Sequence, residues 1–338
     1  MKTKKYRRLT AAAIALTVHA PDWTEAKLVI VDDKDCTLQE AISFIYDPGT
    51  GEGCVDSGGA GSDTIVLNTD VTLDNRLMVM TSVIIEGNGH TITGNAGKSV
   101  FFVDSGHTLT LDNLTIKGGK NGLEFIDSKA VLNKSTVTGH SNRAISTSRG
   151  SMTLNNSTVS GNPGTGLYGA NCGIVLNGVT VSGNATGLSA SGAVATLQGS
   201  LISGNSGFDI KDFNSTQWQT NFNLIGSSSK KNAESFSETF LLNSTDISAT
   251  SDGTNPTALN AILSPLANNG GPTKTHALPV GSPAVDLDEG CIVALSEDQR
   301  GISRPSGNGC DAGAFEFESG TAVQRINMEP VYRVLLPN

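Results

Sequence analysis

The sequence predicts an all-β protein, a single-stranded parallel β-helix with coils of about 22 residues. A repeated motif predicts it: a β-branched or leucine residue lies two positions before a glycine, with spacings of 24, 21, 22, 22, 21 and 22 residues between successive glycines. These glycines are Gly94, Gly118, Gly139, Gly161, Gly183, Gly204 and Gly226. Composition agrees, because 39 of the 338 residues are glycine, which favours tight turns. Coils this short leave no room for a strand–helix–strand unit, which needs about 30 residues.

Each coil is predicted to contain short strands in which buried and exposed residues alternate. Leucines lie seven residues before the glycine, and we expect them to stack as an inward row: Leu111, Leu132, Leu154, Leu176 and Leu197. A third strand begins near Leu123, Ile145, Leu167 and Leu188. Six residues before the glycine, a structural ladder is predicted, made of Asn88, Asp112, Asn133, Asn155, Asn177 and Gln198. Stacked amides satisfy one another's hydrogen bonds, and asparagine tolerates the left-handed conformation of a coil corner.

The remaining regions are read from local signals at both ends of the chain. A basic segment followed by the apolar run Leu9–Val18 predicts a cleaved signal peptide over residues 1–26. Residues 27–60 should form an N-terminal strand and a capping helix, because Thr37-Leu-Gln-Glu40 is a capping box before an apolar helix face. The coils are assigned to residues 61–253, an irregular, proline-rich C-terminal cap to residues 254–318, and a tail to residues 319–338.

Five cysteines add a second prediction, since export makes disulfides favourable. Cys36 with Cys54, and Cys291 with Cys310, would each close a short loop near one end of the chain. Other pairings stay open at this point, because sequence alone does not determine connectivity. Cys172 is then left over as a small buried residue.

Motifs at both ends resemble a family of exported bacterial proteins. Cys36-Thr-Leu-Gln-Glu-Ala-Ile42 is similar to the Cys-Ser-Leu-Arg-Glu-Ala motif, and residues 263–278, 281–286 and 298–316 resemble the choice-of-anchor Q domain. The resemblance implies a right-handed β-helix of the pectin-lyase-like superfamily, exported and usually linked to the cell surface, with no defined activity. After Glu318 the chain departs from the family, because neither a sorting helix nor a Leu-Pro-x-Thr-Gly signal follows. We therefore expect secretion, or attachment through a partner.

Catalysis in a β-helix would require clustered charged side chains on adjacent coils, either for a polysaccharide lyase or for a glycoside hydrolase. From Ser151 to Phe208, 58 consecutive residues include no Asp, Glu, Lys, Arg or His. Earlier coils offer Asp127 and Arg149 as weak catalytic candidates, but solvated charges on an outer face are the simpler interpretation.

The densest charged set lies in the predicted C-terminal cap and comprises His276, Asp286, Asp298, Arg300, Arg304, Asp311 and Glu316. We expect salt bridges and hydrogen bonds within the cap, with a structural Ca²⁺ site as the alternative and no other cofactor.

Outward threonines form the last candidate surface: Thr91, Thr115, Thr136, Thr158 and Thr180. Such a neutral, periodic row could bind a glycan or ice, although stacked hydroxyls are also ordinary in strands. The net charge of −9 argues against nucleic acid as a partner, and no later stretch is long enough for a transmembrane span.

Together these features predict an exported cell-envelope or extracellular β-helix without enzymatic activity, acting in adhesion, matrix contact or glycan binding. A polysaccharide lyase or glycoside hydrolase is the alternative, and an ice-binding protein is a minor one.

Overall fold

Three parallel sheets wind around one apolar core in the computed structural model, which describes residues 26–59, 61–104, 106–214, 216–291 and 295–318. The predicted parallel β-helix, of the right-handed type and with about 22 residues per turn, is confirmed. We name the sheets A, B and C in the order in which each coil passes through them. The predicted signal peptide (apart from Ala26) and the predicted tail lie outside the described residues.

The strands of each sheet follow one another at intervals of one coil. Sheet A contains Leu28–Val31, Thr64–Leu67, Val83–Glu86, Thr108–Asp112, Lys129–Asn133, Ser151–Asn155, Gly173–Asn177, Val194–Gln198 and Gln217–Asn221. Sheet B contains Val71–Thr72, Thr91–Gly94, Thr115–Gly118, Thr136–Thr138, Thr158–Ser160, Thr180–Ser182, Leu201–Ile202, Leu224–Ile225 and Ile247–Ser248. Sheet C contains Leu77–Val79, Phe101–Asp104, Asn121–Ile126, Arg143–Ser148, Thr165–Ala170, Thr186–Ser191 and Ile210–Asp212.

The strand register follows the glycine spacing. Leu132 pairs with Leu111 on one side and with Leu154 on the other, so that the inward leucine row forms as predicted. All three side chains are fully buried. Burying one leucine side chain stabilises a fold by about 1.5–3 kcal/mol, so a row repeated in every coil supplies much of the stability.

The N-terminal helix, Leu38–Tyr46, begins where the sequence predicts it. Thr37 and Glu40 form the capping box, and the apolar face of the helix is buried in the core through Leu38, Ala41, Ile42 and Ile45. Two one-turn helices, Asn232–Ser235 and Leu259–Ile262, lie later in the described chain. No helix among the described residues is long and apolar enough to cross a membrane.

The described residues of 254–318, which we call the strap, lie along the outward face of sheet B. Sequence reasoning placed this segment at the end of the helix, but its hydrogen bonds reach sideways to Thr136, Thr158 and Thr180 in three successive coils. A second apolar cluster forms between the strap and the last coils, and it includes Leu201, Leu224, Ile262, Leu278 and Phe315. The strap contains an antiparallel pair, Leu266–Ala267 with Thr275–His276.

Candidate functional site

Asp127 and Arg149, the weak catalytic candidates, occupy exposed corners of adjacent coils and pair with each other. Both nitrogens of the Arg149 fork, Nε and Nη2, donate to Asp127 at 2.9 Å, and both backbones are left-handed, with φ near +50°. Arg149 lowers the pKa of Asp127, so the carboxyl is ionised at neutral pH. A solvent-exposed ion pair that satisfies itself provides neither a free base nor a substrate pocket.

The threonine rows were expected to face solvent, and this expectation is wrong for Thr136, Thr158 and Thr180. Their side chains are at most 2% exposed, because the strap covers them. Gln299 accepts a hydrogen bond from Thr158 at 2.7 Å, and His276 Nε2 lies 2.8 Å from Ser160 Oγ. Thr136, Thr158 and Thr180 are therefore unavailable to ice or to a flat glycan, whereas Thr91 and Thr115 stay partly exposed.

The amide ladder runs along the corner after sheet A with one exception. Asn155 donates to Asn133, and Asn177 donates to Asn155, each at 2.9 Å. Gln198 pairs with Asn177 in the strand register. Asn88 does not belong to the ladder: Glu86 pairs with Asp112 instead, because that coil has a longer corner, and Asn88 donates to the Leu67 carbonyl.

The charged groups of the strap form buried ion pairs. Arg300 Nη2 lies 2.8 Å from Asp298, and Arg304 lies 3.0 Å from Glu316, with all four side chains at most 7% exposed. Arg304 also donates to the Asp311 carbonyl. Among the described residues, no group of three or more His, Cys, Asp or Glu side chains could hold a metal ion. The calcium site stays a prediction without a donor cluster to support it.

The predicted pairings Cys36–Cys54 and Cys291–Cys310 are confirmed as disulfides. Cys172 is free and buried, and burial raises the pKa of its thiol to about 11. Burial and the raised pKa both disfavour the thiolate, which is the reactive form of a cysteine.

A different surface, the outward face of sheet C, gathers aromatic and charged side chains. Its central row follows the strand register and consists of Met78, Phe102, Glu124, Ser146, Tyr168, Ser189 and Lys211. We call these residues the sheet C row. Neighbouring members are one coil apart, or about 4.8 Å.

Two members of the sheet C row are aromatic rings, each covered by an arginine. The Arg143 guanidinium lies 3.7 Å from the ring centre of Tyr168, and the Arg76 guanidinium lies 4.9 Å from that of Phe102. Both distances are within the range of cation–π attraction. Each ring with its arginine therefore forms an amphipathic platform, partly exposed at the surface.

Glu124 lies between the two platforms and is held by neutral donors. Ser99 Oγ donates to Glu124 Oε2 at 2.6 Å, and Asn121 Nδ2 donates to Oε1 at 2.7 Å. Asn121 is in turn bonded by Asn142 of the next coil, 2.8 Å away. This network fixes the carboxylate on the surface.

Sequence reasoning missed the sheet C row, although a signal for it exists. The third strand of each coil was identified at Leu123, Ile145, Leu167 and Leu188, and the residue after each of these points outward. Reading that next position coil by coil gives Glu124, Ser146, Tyr168 and Ser189 directly.

Comparison with known proteins leaves the family open. No family model matches the chain, and no curated protein matches it. Among solved structures, the crystal structure of pectate lyase Pel9A is similar, with 13% identity and a TM-score of 0.37, over 75% of this chain and 88% of that chain. A similarity of this size carries no information about activity, because one fold hosts many functions.

Proposed function

We propose that this protein is an exported, non-catalytic β-helix that binds a glycan across the outward face of sheet C. The observation that carries the proposal is the pair of platforms, Phe102 under Arg76 and Tyr168 under Arg143. A sugar ring has an apolar C–H face and a polar hydroxyl rim. An aromatic ring offers a surface for the first, and an adjacent guanidinium offers five N–H donors for the second.

The spacing of the platforms suits a chain of sugars better than a single one. Phe102 and Tyr168 are three coils apart in the sheet C row, which corresponds to about 14 Å along the helix axis. A monosaccharide is too short to reach both rings. We therefore expect affinity to rise steeply when an oligosaccharide is long enough to contact both platforms.

Absence of catalysis is part of the proposal. Asp127 and Arg149 engage each other, and Glu124 lies in a network of neutral hydrogen-bond donors. A lyase instead needs a base that is free to reach the substrate, and a glycosidase needs two carboxyl groups at a suitable distance.

Location at the cell surface or in the medium is supported by the two disulfides, which persist in oxidising compartments. The terminal motifs that resemble the choice-of-anchor Q domain support the same location. Membership in that family, adhesion and the mode of attachment remain predictions.

The test is a glycan array on the mature protein, followed by titration of the best oligosaccharide. We expect Tyr168→Ala and Phe102→Ala each to weaken binding about tenfold, a loss of about 1.4 kcal/mol, since each removes one apolar platform. Tyr46→Ala, on the exposed side of the N-terminal helix, is the matched control and should bind like the parent.

Turnover is measured on the same glycans through unsaturated-uronide absorbance and reducing-sugar release. Product formation would overturn the non-catalytic proposal. Equal losses of affinity in Tyr46→Ala and Tyr168→Ala would place the binding surface elsewhere.

A further inference from the structure

A polar groove of about 490 Å³ opens beside the Phe102 platform, where the chain turns from sheet B into sheet C. Its walls come from three successive coils, and they consist of Asn75, Arg76, Gly97, Lys98, Ser99, Lys120, Asn121 and Glu124. Arg76, which covers the Phe102 ring, is shared between the groove and the platform. A ligand can therefore contact both at once.

The groove has an excess of positive charge. Arg76, Lys98 and Lys120 are cationic, whereas Glu124 is the one carboxylate in the lining, which leaves two positive charges. Within the described chain, no salt bridge involves any of these three cations. Lys98 donates to neutral oxygens, the Asn75 side chain and the Asp74 carbonyl, and Glu124 is bonded to Ser99 and Asn121.

The two lysines occupy equivalent positions in adjacent coils, since the Lys120 backbone N–H donates to the Lys98 carbonyl at 2.7 Å. Both lysines lie in the turns between sheet B and sheet C, where neighbouring like charges repel each other and lower the stability of the fold. Fold stability gives no reason to place them there. A bound anion would convert this repulsion into attraction for both.

We propose that the groove binds the phosphate monoester group of a phosphorylated sugar. A phosphate monoester has a charge of about −1.5 to −2 near pH 7, which matches the two uncompensated positive charges, whereas a carboxylate or sulfate ester has only one. The arginine fork and the lysine ammonium groups are the side chains that bind phosphate oxygens most strongly. Phe102 lies under Arg76 at the edge of the groove, where the sugar ring attached to the phosphate would contact the exposed part of the aromatic ring.

This inference deepens the proposed glycan binding, on which it rests, by naming the substituent that the glycan carries. The probes are glucose 6-phosphate, glucose 6-sulfate, glucuronate and glucose, each titrated calorimetrically into the full mature chain at pH 7.5. We expect glucose 6-phosphate to bind at least tenfold more tightly than the two monoanions, and glucose to bind most weakly. Its affinity should fall severalfold at pH 5, where the phosphate loses its second charge.

Lys98→Gln and Lys120→Gln should each weaken glucose 6-phosphate binding at least fivefold and leave the binding of a neutral oligosaccharide unchanged. Lys129→Gln, at an exposed lysine of sheet A, is the matched control and should have no effect. The unfolding midpoint of each variant checks that all three variants are folded.

Equal affinities for phosphate, sulfate and carboxylate probes, or no change with pH, would overturn the phosphate assignment. If the phosphate assignment fails but Tyr168→Ala still weakens the binding of neutral oligosaccharides, the proposed glycan binding stands without the phosphate site. If glucose 6-phosphate binds but Tyr168→Ala has no effect on any glycan, phosphate binding in the groove is supported and glycan binding by the sheet C row is contradicted.

Discussion

Buried asparagines after three successive sheet B strands form an inner ladder whose side-chain to side-chain hydrogen bonds run in one direction. Asn162 Nδ2 donates to Asn184 at 2.7 Å, Asn184 donates to Asn205 at 2.9 Å, and Asn205 donates to Asp209 at 2.8 Å. A row of amides with one polarity needs an acceptor at its end, and an ionised carboxylate only accepts. Asp209 ends the ladder for this reason, although burial raises its pKa.

The outer ladder after sheet A has the opposite polarity. Asn177 donates to Asn155, Asn155 donates to Asn133, and Asn133 donates to the Asp112 carboxylate in the preceding coil. The acceptor now lies at the N-terminal end of the row. The position of each aspartate thus follows from the direction of its ladder.

The buried carboxyl of Asp311 predicts that the free energy of unfolding depends on pH. Burial raises the pKa of this carboxyl to about 7, against backbone N–H donors from Asp286 and Phe317 that oppose the change. The folded state binds this proton more tightly than the unfolded state does. The protonated Asp311 carboxyl therefore stabilises the folded state fully below about pH 4, and this stabilisation is lost as the pH rises to 7. We expect this group to lower the free energy of unfolding by roughly 2–3 kcal/mol between pH 5 and pH 8.

Urea denaturation at several pH values measures the slope of the free energy of unfolding against pH. Asp311→Asn should flatten it, whereas Asp127→Asn should not, since the pKa of Asp127 is lowered and its carboxyl stays ionised across the whole range. An unchanged slope in Asp311→Asn would contradict the assignment.

At the scale of elements, the strap explains why the sheet B strands Thr158–Ser160 and Thr180–Ser182 are buried on both faces. Gln299 is fully buried and joins the strap to two coils, donating to Thr136 Oγ1 at 2.9 Å and accepting from Thr158 Oγ1 at 2.7 Å. It also donates to Thr273 within the strap. The threonine hydroxyls are the partners of these polar groups of the strap.

Replacing Gln299 tests this contact. Gln299→Ala leaves the buried Thr158 hydroxyl without its acceptor and removes the donor to Thr136 and Thr273, and we expect a loss of about 3 kcal/mol in the free energy of unfolding. Gln219→Ala, at an exposed glutamine of sheet A, should cost less than about 0.5 kcal/mol. Guanidinium denaturation compares the two, and equal effects would show that Gln299 does not hold the strap in place.

At the scale of the whole molecule, each disulfide stabilises a segment outside the regular coils. Cys36–Cys54 lies beside the N-terminal helix, and Cys291–Cys310 lies in the strap, with sequence separations of 18 and 19 residues. Neither segment gains stability from strand pairing on both sides, as the inner coils do. Cross-linking compensates by restricting the unfolded chain.

Removing the strap disulfide should therefore destabilise the protein. For the double variant Cys291→Ala, Cys310→Ala we expect a loss of about 3 kcal/mol, the value typical of a loop of this length. Cys172→Ala, at the free buried cysteine, should lose about 1 kcal/mol or less and keep its sensitivity to reductant. Thermal unfolding with and without dithiothreitol measures the stability of each variant and its sensitivity to reductant. If dithiothreitol does not lower the unfolding temperature of the parent protein, the prediction is contradicted.

The sequence by itself determined the coil repeat, the inward leucine row and the capping helix, because each depends on residues close together in the chain or one coil apart. The ladder positions Asn133, Asn155 and Asn177 follow from the same spacing. Asn88 departs from it because the length of a corner varies between coils without changing the strand pattern.

Only the tertiary structure decided which outer faces meet solvent. Three threonines of sheet B, Thr136, Thr158 and Thr180, are covered by a strap more than a hundred residues later in the chain, and no local pattern predicts where such a segment returns. Likewise, Phe102 and Tyr168 form one surface only when the coils stack in register. Burial of an outer face depends on contacts distant in sequence, and for that reason the candidate site emerged from the fold and not from a motif.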